Sequence, residues 1–182
     1  ELEQRGFVKK SNGKGTIVIE PDDTKLHQLA LNSGYVEKAL RYLHALQLMV
    51  LIIRPAALAA AARFTREELD ELTDRFTSPG SVYLADIQEA VLKHTTLEPL
   101  YVILSETNHL LEWGHHFAYY PSKRHTLSHL NKKAITALRQ LYEGNASSFA
   151  DGMADCYRYI LICMKKNMVE KYKFHNVANI RV

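Results

Sequence analysis

From residue 26 onward the apolar positions recur at helical spacing. Leu26, Leu29 and Ala30 open the pattern, and Val36, Ala39, Leu40, Leu43, Leu46, Met49, Val50 and Ile53 continue it three and four residues apart, lining one face of a helix. Ser33-Gly34 marks a break near its start. Pro55 is expected to end this run and open a second helix, because proline lacks the N–H that an interior turn needs and a first turn does not. Thr65-Arg66-Glu67-Glu68 has the form of a capping box, in which hydroxyl and carboxylate satisfy orphan N–H groups, and predicts a helix through Phe76. Ser78-Pro79-Gly80 then makes a turn. Further helices are predicted near 81–95, 98–118 and 122–143, the last closing at Gly144-Asn145, and a final one over 147–174.

Only residues 6–20 have β character. Gly6 to Lys10 and Gly15 to Ile19 are short β-branched or aromatic runs around Ser11-Asn12-Gly13-Lys14, and an Asn-Gly pair that tolerates positive φ is a strong hairpin signal. Pro21-Asp22-Asp23 ends the hairpin and supplies a helix N-cap. The predicted fold class is all-α: an antiparallel bundle of six to eight helices preceded by a short β-hairpin, since short connections favour antiparallel neighbours. Two domains are read from this, residues 1–22 and residues 23–182.

Composition narrows the classes. The 182 residues are 47% apolar and 24% charged, with 8 Gly and 5 Pro, which excludes collagen-like, low-complexity and disordered chains. Leu48–Ile53 and Pro55–Ala62, separated by Arg54, each fall short of the roughly 20 apolar residues of a transmembrane helix, so no membrane span is expected. The chain opens on Glu with no basic and then apolar leader, predicting that it begins inside a longer protein without a secretory signal. Cys156 and Cys163, seven apart on one predicted helix, stand roughly 10 Å apart, too far to bridge. A reducing compartment, the cytoplasm, fits them, and the Asn145-Ala146-Ser147 sequon then reads as a loop coincidence. Charge is uneven: residues 121–182 carry 11 Lys and Arg against 4 Asp and Glu, while residues 1–120 carry 12 against 16. A basic half fits nucleic acid, an acidic ligand or an acidic partner, and equally a solvated helix face.

Leu2-Glu3-Gln4-Arg5-Gly6-Phe7-Val8 followed by Gly13-Lys14-Gly15-Thr16-Ile17-Val18 resembles the end of a GntR-family winged-helix domain. In that family a recognition helix is followed by a glycine-flanked basic wing. The resemblance implies DNA contacts from Arg5, Lys9, Lys10 and Lys14, with Gly13, Gly15 and Thr16 shaping the wing; glycines allow close approach to the backbone and lysines meet phosphates. The DNA-reading helix itself would precede Glu1. Arg54-Pro55-Ala56-Ala57-Leu58 through Leu69, then Leu97-Glu98-Pro99-Leu100, then Arg124 to Gly144 with His129, is similar to the effector-binding, dimer-forming FCD domain of the FadR branch. This likeness implies a DNA-binding transcription regulator without enzymatic activity. Its partners would be operator DNA, a small-molecule effector and a second copy of the chain, and no membrane.

Many FCD domains hold a divalent metal through an Asp, a His four residues later and two further His. The resemblance places Asp86 and His129 in the effector pocket at two of these ligand positions. The position after Asp86 reads Glu89 or Ala90 and the last His is replaced by Cys156 or a neighbour, so the site looks incomplete and no cofactor is expected. Glu89 and Cys156 are nevertheless residue types that bind metals. Val50 stands where the family often has an arginine, which favours a less acidic effector. Glu106, His109, Glu112 and His115 repeat Glu-x-x-His on one helix rather than on the two that a di-iron bundle needs, so with His116 they read as surface or rim residues.

Two rival classes remain. Arg124-His125-Thr126-Leu127-Ser128-His129 resembles the Arg-polar-x-x-x-His motif of HEPN-type ribonucleases, which act on RNA without metal. There Arg124 would hold phosphate while His125 and His129 supply acid and base. The other rival is a helical protein-interaction or adaptor domain, which would present an exposed apolar groove instead of a closed cavity and a symmetric dimer.

Overall fold

Six helices and one two-stranded sheet make up residues 8–11, 15–18, 35–75, 83–96, 98–115 and 123–170, which the computed structural model describes. Residues 9, 11, 35–39, 75, 83, 108–115 and 123–128 are described by their backbone alone. The strands are β1 (Val8–Ser11) and β2 (Gly15–Val18), antiparallel, with Val8 opposite Val18 and Lys10 opposite Thr16. The hairpin read from the sequence is therefore present. Its Asn12-Gly13 turn lies outside the described residues. Gly15 re-enters the sheet at φ +76°, a left-handed conformation that costs a glycine no Cβ strain.

α1 runs unbroken from Tyr35 to Ala61 with Pro55 inside it, which corrects the expected break. Pro55 cannot donate to the carbonyl four residues back, that of Leu51. Leu51 is 73% exposed, so the freed oxygen lies on the solvent side of a helix that continues through Pro55. The two apolar runs that the sequence separates thus become one segment, Leu40–Ala61, long and apolar enough by length and composition to cross a membrane. That corrects the expectation that no such segment exists. Core helices pass the same test, and here Leu43, Leu46, Met49, Ile53, Ala56 and Ala60 are fully or almost fully buried in the protein core.

The remaining helices are α2 (Arg66–Arg75), α3 (Tyr83–His94), α4 (Glu98–His115), α5 (Lys123–Tyr142) and α6 (Ala146–Glu170). Their starts agree with the sequence to within two residues. The predicted ends at 76, 118 and 174, and the stretch 26–34, fall outside the described residues. α6 packs most extensively on α1 and next on α5, while α3 sits against α1 and α5, and α4 against α1. Burying the aromatic and sulfur-bearing face of α6, with Phe149, Met153, Tyr157 and Met164 inside, is the main apolar stabilisation of this centre, at about 2 kcal/mol per large side chain.

α5 and α6 are an antiparallel hairpin: Ala137 meets Gly152 and the His129 ring lies 4.8 Å from that of Tyr159. The turn between them is doubly capped. Gly144 adopts φ +83°, its N–H bonds the Leu141 carbonyl at 2.9 Å, and the Asn145 N–H bonds the Gln140 carbonyl at 2.8 Å, a Schellman closure of α5. Asn145 then opens α6 by accepting the Ser148 N–H on its side-chain oxygen at 3.1 Å. The sequon asparagine is a helix cap. α2 is tied to α5 by Tyr142, whose hydroxyl donates to Asp70 at 3.0 Å and whose ring lies 3.5 Å beneath the Arg66 guanidinium.

Candidate functional site

The two residues that sequence reasoning placed in one pocket stand in different clefts. Asp86, half-buried on α3, lines a cleft of about 440 Å³ between α2, α3 and α4 with Glu68, Glu71, Glu89, Lys93 and Tyr101. His129, exposed on α5, lines a second cleft of about 300 Å³ between α5 and α6. The structure does not bring Asp86 and His129 together. Among the described residues no group of three or more His, Cys, Asp or Glu is placed to hold a metal ion. Glu89 shares the cleft of Asp86, but Cys156 is buried in the core and burial pushes its thiol up to about 12. A protonated thiol packs as a small apolar side chain rather than a ligand.

The cleft of Asp86 is built on the capping box. The Thr65 N–H donates to the Glu68 carboxylate at 3.1 Å and the Glu68 N–H donates to the Thr65 hydroxyl at 3.2 Å. The capping prediction therefore holds, and Glu68 goes further: it accepts from Lys93 Nζ at 2.8 Å and lies 2.8 Å from His94 Nε2. These partners sit in the last turn of α3, where cations complement the helix dipole. The Lys93 hydrogen bond, with that from Thr65, holds the Glu68 carboxyl down at about 2, and Glu68 in turn raises the Lys93 amine. Phe64 stacks at 4.8 Å on His94 and meets Phe149 edge-on at 6.2 Å, so the ion cluster is braced against the core.

The cleft of His129 has the opposite character. Its floor is the close approach of α5 and α6, where a Cβ on Gly152 would fall 2.7 Å from that of Ala137. Lys132, Lys133 and Thr136 stand on the α5 wall, and Ser148 and Asp155 on the α6 wall. Asp155 is paired with Arg158.

Sequence reasoning missed a third feature, inside the bundle. Gln88 is 4% exposed and accepts a hydrogen bond from the hydroxyl of buried Tyr157. Thr107 and Asn167 are buried as well, Thr107 donating to the Ile103 carbonyl at 2.6 Å. The signal for Gln88 was legible: it sits four residues after Leu84 and three before Val91, on the apolar period of α3.

The remaining candidates divide by description. Lys10 and Thr16 are exposed and face each other across the hairpin, Lys9 pairs with Ile17, and Arg5, Gly13 and Lys14 lie outside the described residues. Arg124 and His125 begin α5, and His109, Glu112 and His115 belong to α4, all described by backbone alone; His116 is outside. A scan against protein families, a search of curated proteins and a search of solved structures each return no match.

Proposed function

We propose that the chain is a small-molecule-binding regulatory domain and not an enzyme: a helical body whose ligand changes how an attached DNA-binding element is presented. More particularly, we read it as the FCD-type effector and dimerisation domain of a GntR-family transcription regulator, with the wing of the winged helix at residues 1–22. The observation that carries this reading is the antiparallel hairpin ahead of the helices, with Gly15 left-handed at its return and Lys10 exposed on it. A wing needs a tight glycine return and basic side chains near the DNA backbone. The mechanism is linkage: an effector that favours one dimer arrangement alters the spacing of two DNA-reading helices, and effector and operator affinities change by the same factor. Native mass spectrometry of the 182-residue chain tests it. A dimer carrying a co-purified small molecule is expected, and an empty monomer overturns the reading.

One observation favours an interaction domain instead. Leu48, Leu51 and Leu58 are exposed on one side of α1, and Tyr101, Val102 and Ile103 on α4, apolar surface of the kind that partners cover. An empty monomer that gains a protein partner through α1 would establish this alternative.

A further inference from the structure

The cleft between α5 and α6 brings two lysines, Lys132 and Lys133, into one concave lining. Several cations elsewhere are answered: Arg54 pairs with Asp151 at 2.6 Å, Lys93 with Glu68 at 2.8 Å, Lys166 with Glu170 at 4.0 Å, and Arg158 with Asp155. Neither Lys132 nor Lys133 has an ion pair or hydrogen bond from its side chain among the described residues. Both line one concave site, with His129 one turn before them and braced on the Tyr159 ring. The only carboxylate among the described lining residues, Asp155, is engaged by Arg158, so the cleft keeps a positive excess. Two lysines without internal partners lining one hollow give it a positive excess that a dianion offsets.

We propose that this cleft binds a small phosphomonoester, with Lys132 and Lys133 meeting the phosphate and Thr136 and His129 beside it. Charge favours phosphate over a single carboxylate, and size favours a small ligand. The lining offers two lysines, and a phosphomonoester carries about two negative charges on one group at pH 7, where a carboxylate carries one. The volume of about 300 Å³ lies at the small end of ligand sites and suits a metabolite rather than a polymer. The floor is fixed, because Gly152 and Ala137 leave no side chain to swing in. The assignment names the ligand class for the cleft of His129; it rests on the regulatory reading only for the consequence of binding, not for binding itself.

Isothermal titration of the 182-residue chain with inorganic phosphate and with glycerol 3-phosphate, at matched ionic strength against sulfate and succinate, tests it. Matching is needed because exposed charges are screened by salt. The expected result is saturable binding of glycerol 3-phosphate at one site per chain, weakened about tenfold in Lys133→Gln and in Lys132→Gln, as the loss of one charge-assisted hydrogen bond implies. Lys166→Gln, elsewhere on α6, leaves it unchanged. Saturation by inorganic phosphate but not by glycerol 3-phosphate overturns the phosphomonoester and reduces the site to free phosphate. Absence of saturation, equal binding of succinate, or indifference to both lysine variants overturns the site. Circular dichroism of the variants establishes that each is folded. A dimer that ignores both phosphates sinks this site and keeps the regulator, while a monomer that binds glycerol 3-phosphate keeps the site and sinks the regulator.

Discussion

The two clefts are built from the same helical hardware and treat charge in opposite ways. Between α2 and α3, Glu68 is held by Thr65 and Lys93, with the His94 ring 2.8 Å away, so its charge is spent on holding two helix ends together. Between α5 and α6, Lys132 and Lys133 have no such duty. A charge that folding uses is a poor place for a ligand, since the ligand must first displace an internal partner. One left over in a hollow is available. By this argument the acidic cleft is chiefly a structural joint, even though it is the larger, and the basic cleft is the binding site.

The largest expected effect comes from the floor of the basic cleft. Gly152→Val drives a branched side chain into Ala137, 2.7 Å from where its Cβ would stand, and should cost about 3 kcal/mol in urea unfolding. Near-normal stability would mean that the α5–α6 contact is looser than described. Next, Glu68→Gln loses a charged cap and the Lys93 pair and should cost about 1 kcal/mol. Lys133→Gln, by contrast, should change stability by less than about 0.5 kcal/mol. Equal costs for the two would erase the contrast between the clefts.

The same comparison has a pH signature. Because the folded Glu68 pKa, about 2, lies below its ordinary value of 4.5, the unfolded state binds the proton more readily. The stability from Glu68 is therefore fully present above pH 4.5 and lost as the pH falls from 4.5 toward 2. Acid titrations of stability should show Glu68→Gln losing less than the parent across that window. Parallel curves would remove the assigned role of Glu68. The smallest effect concerns chemistry rather than stability: at about pH 8 a thiol reagent should modify half-buried Cys163 in the folded chain and spare Cys156, whose thiol burial has raised to about 12. Rapid labelling of Cys156 would mean that the core around it opens readily.

The sequence by itself determined what short-range chemistry decides. The hairpin, the capping box at Thr65, the helix close at Gly144-Asn145 and the helical character of the described residues beyond the hairpin depend on backbone preferences and on hydrogen bonds a few residues apart, so spacing alone reveals them. Continuity through Pro55 was not legible, because it depends on Leu51 facing water, a property of packing. Nor was the separation of Asp86 from His129: each residue's place on its helix can be read from the period, but the cleft it faces is set by which helices become neighbours. The inward place of Gln88 follows from the period of α3, but its partner Tyr157 does not, because only the packing of α6 brings the two together. Lys132 and Lys133 read as one more basic stretch until the approach of Gly152 to Ala137 made a hollow beside them, because whether a charge is answered depends on residues far away in the chain that only the fold brings near.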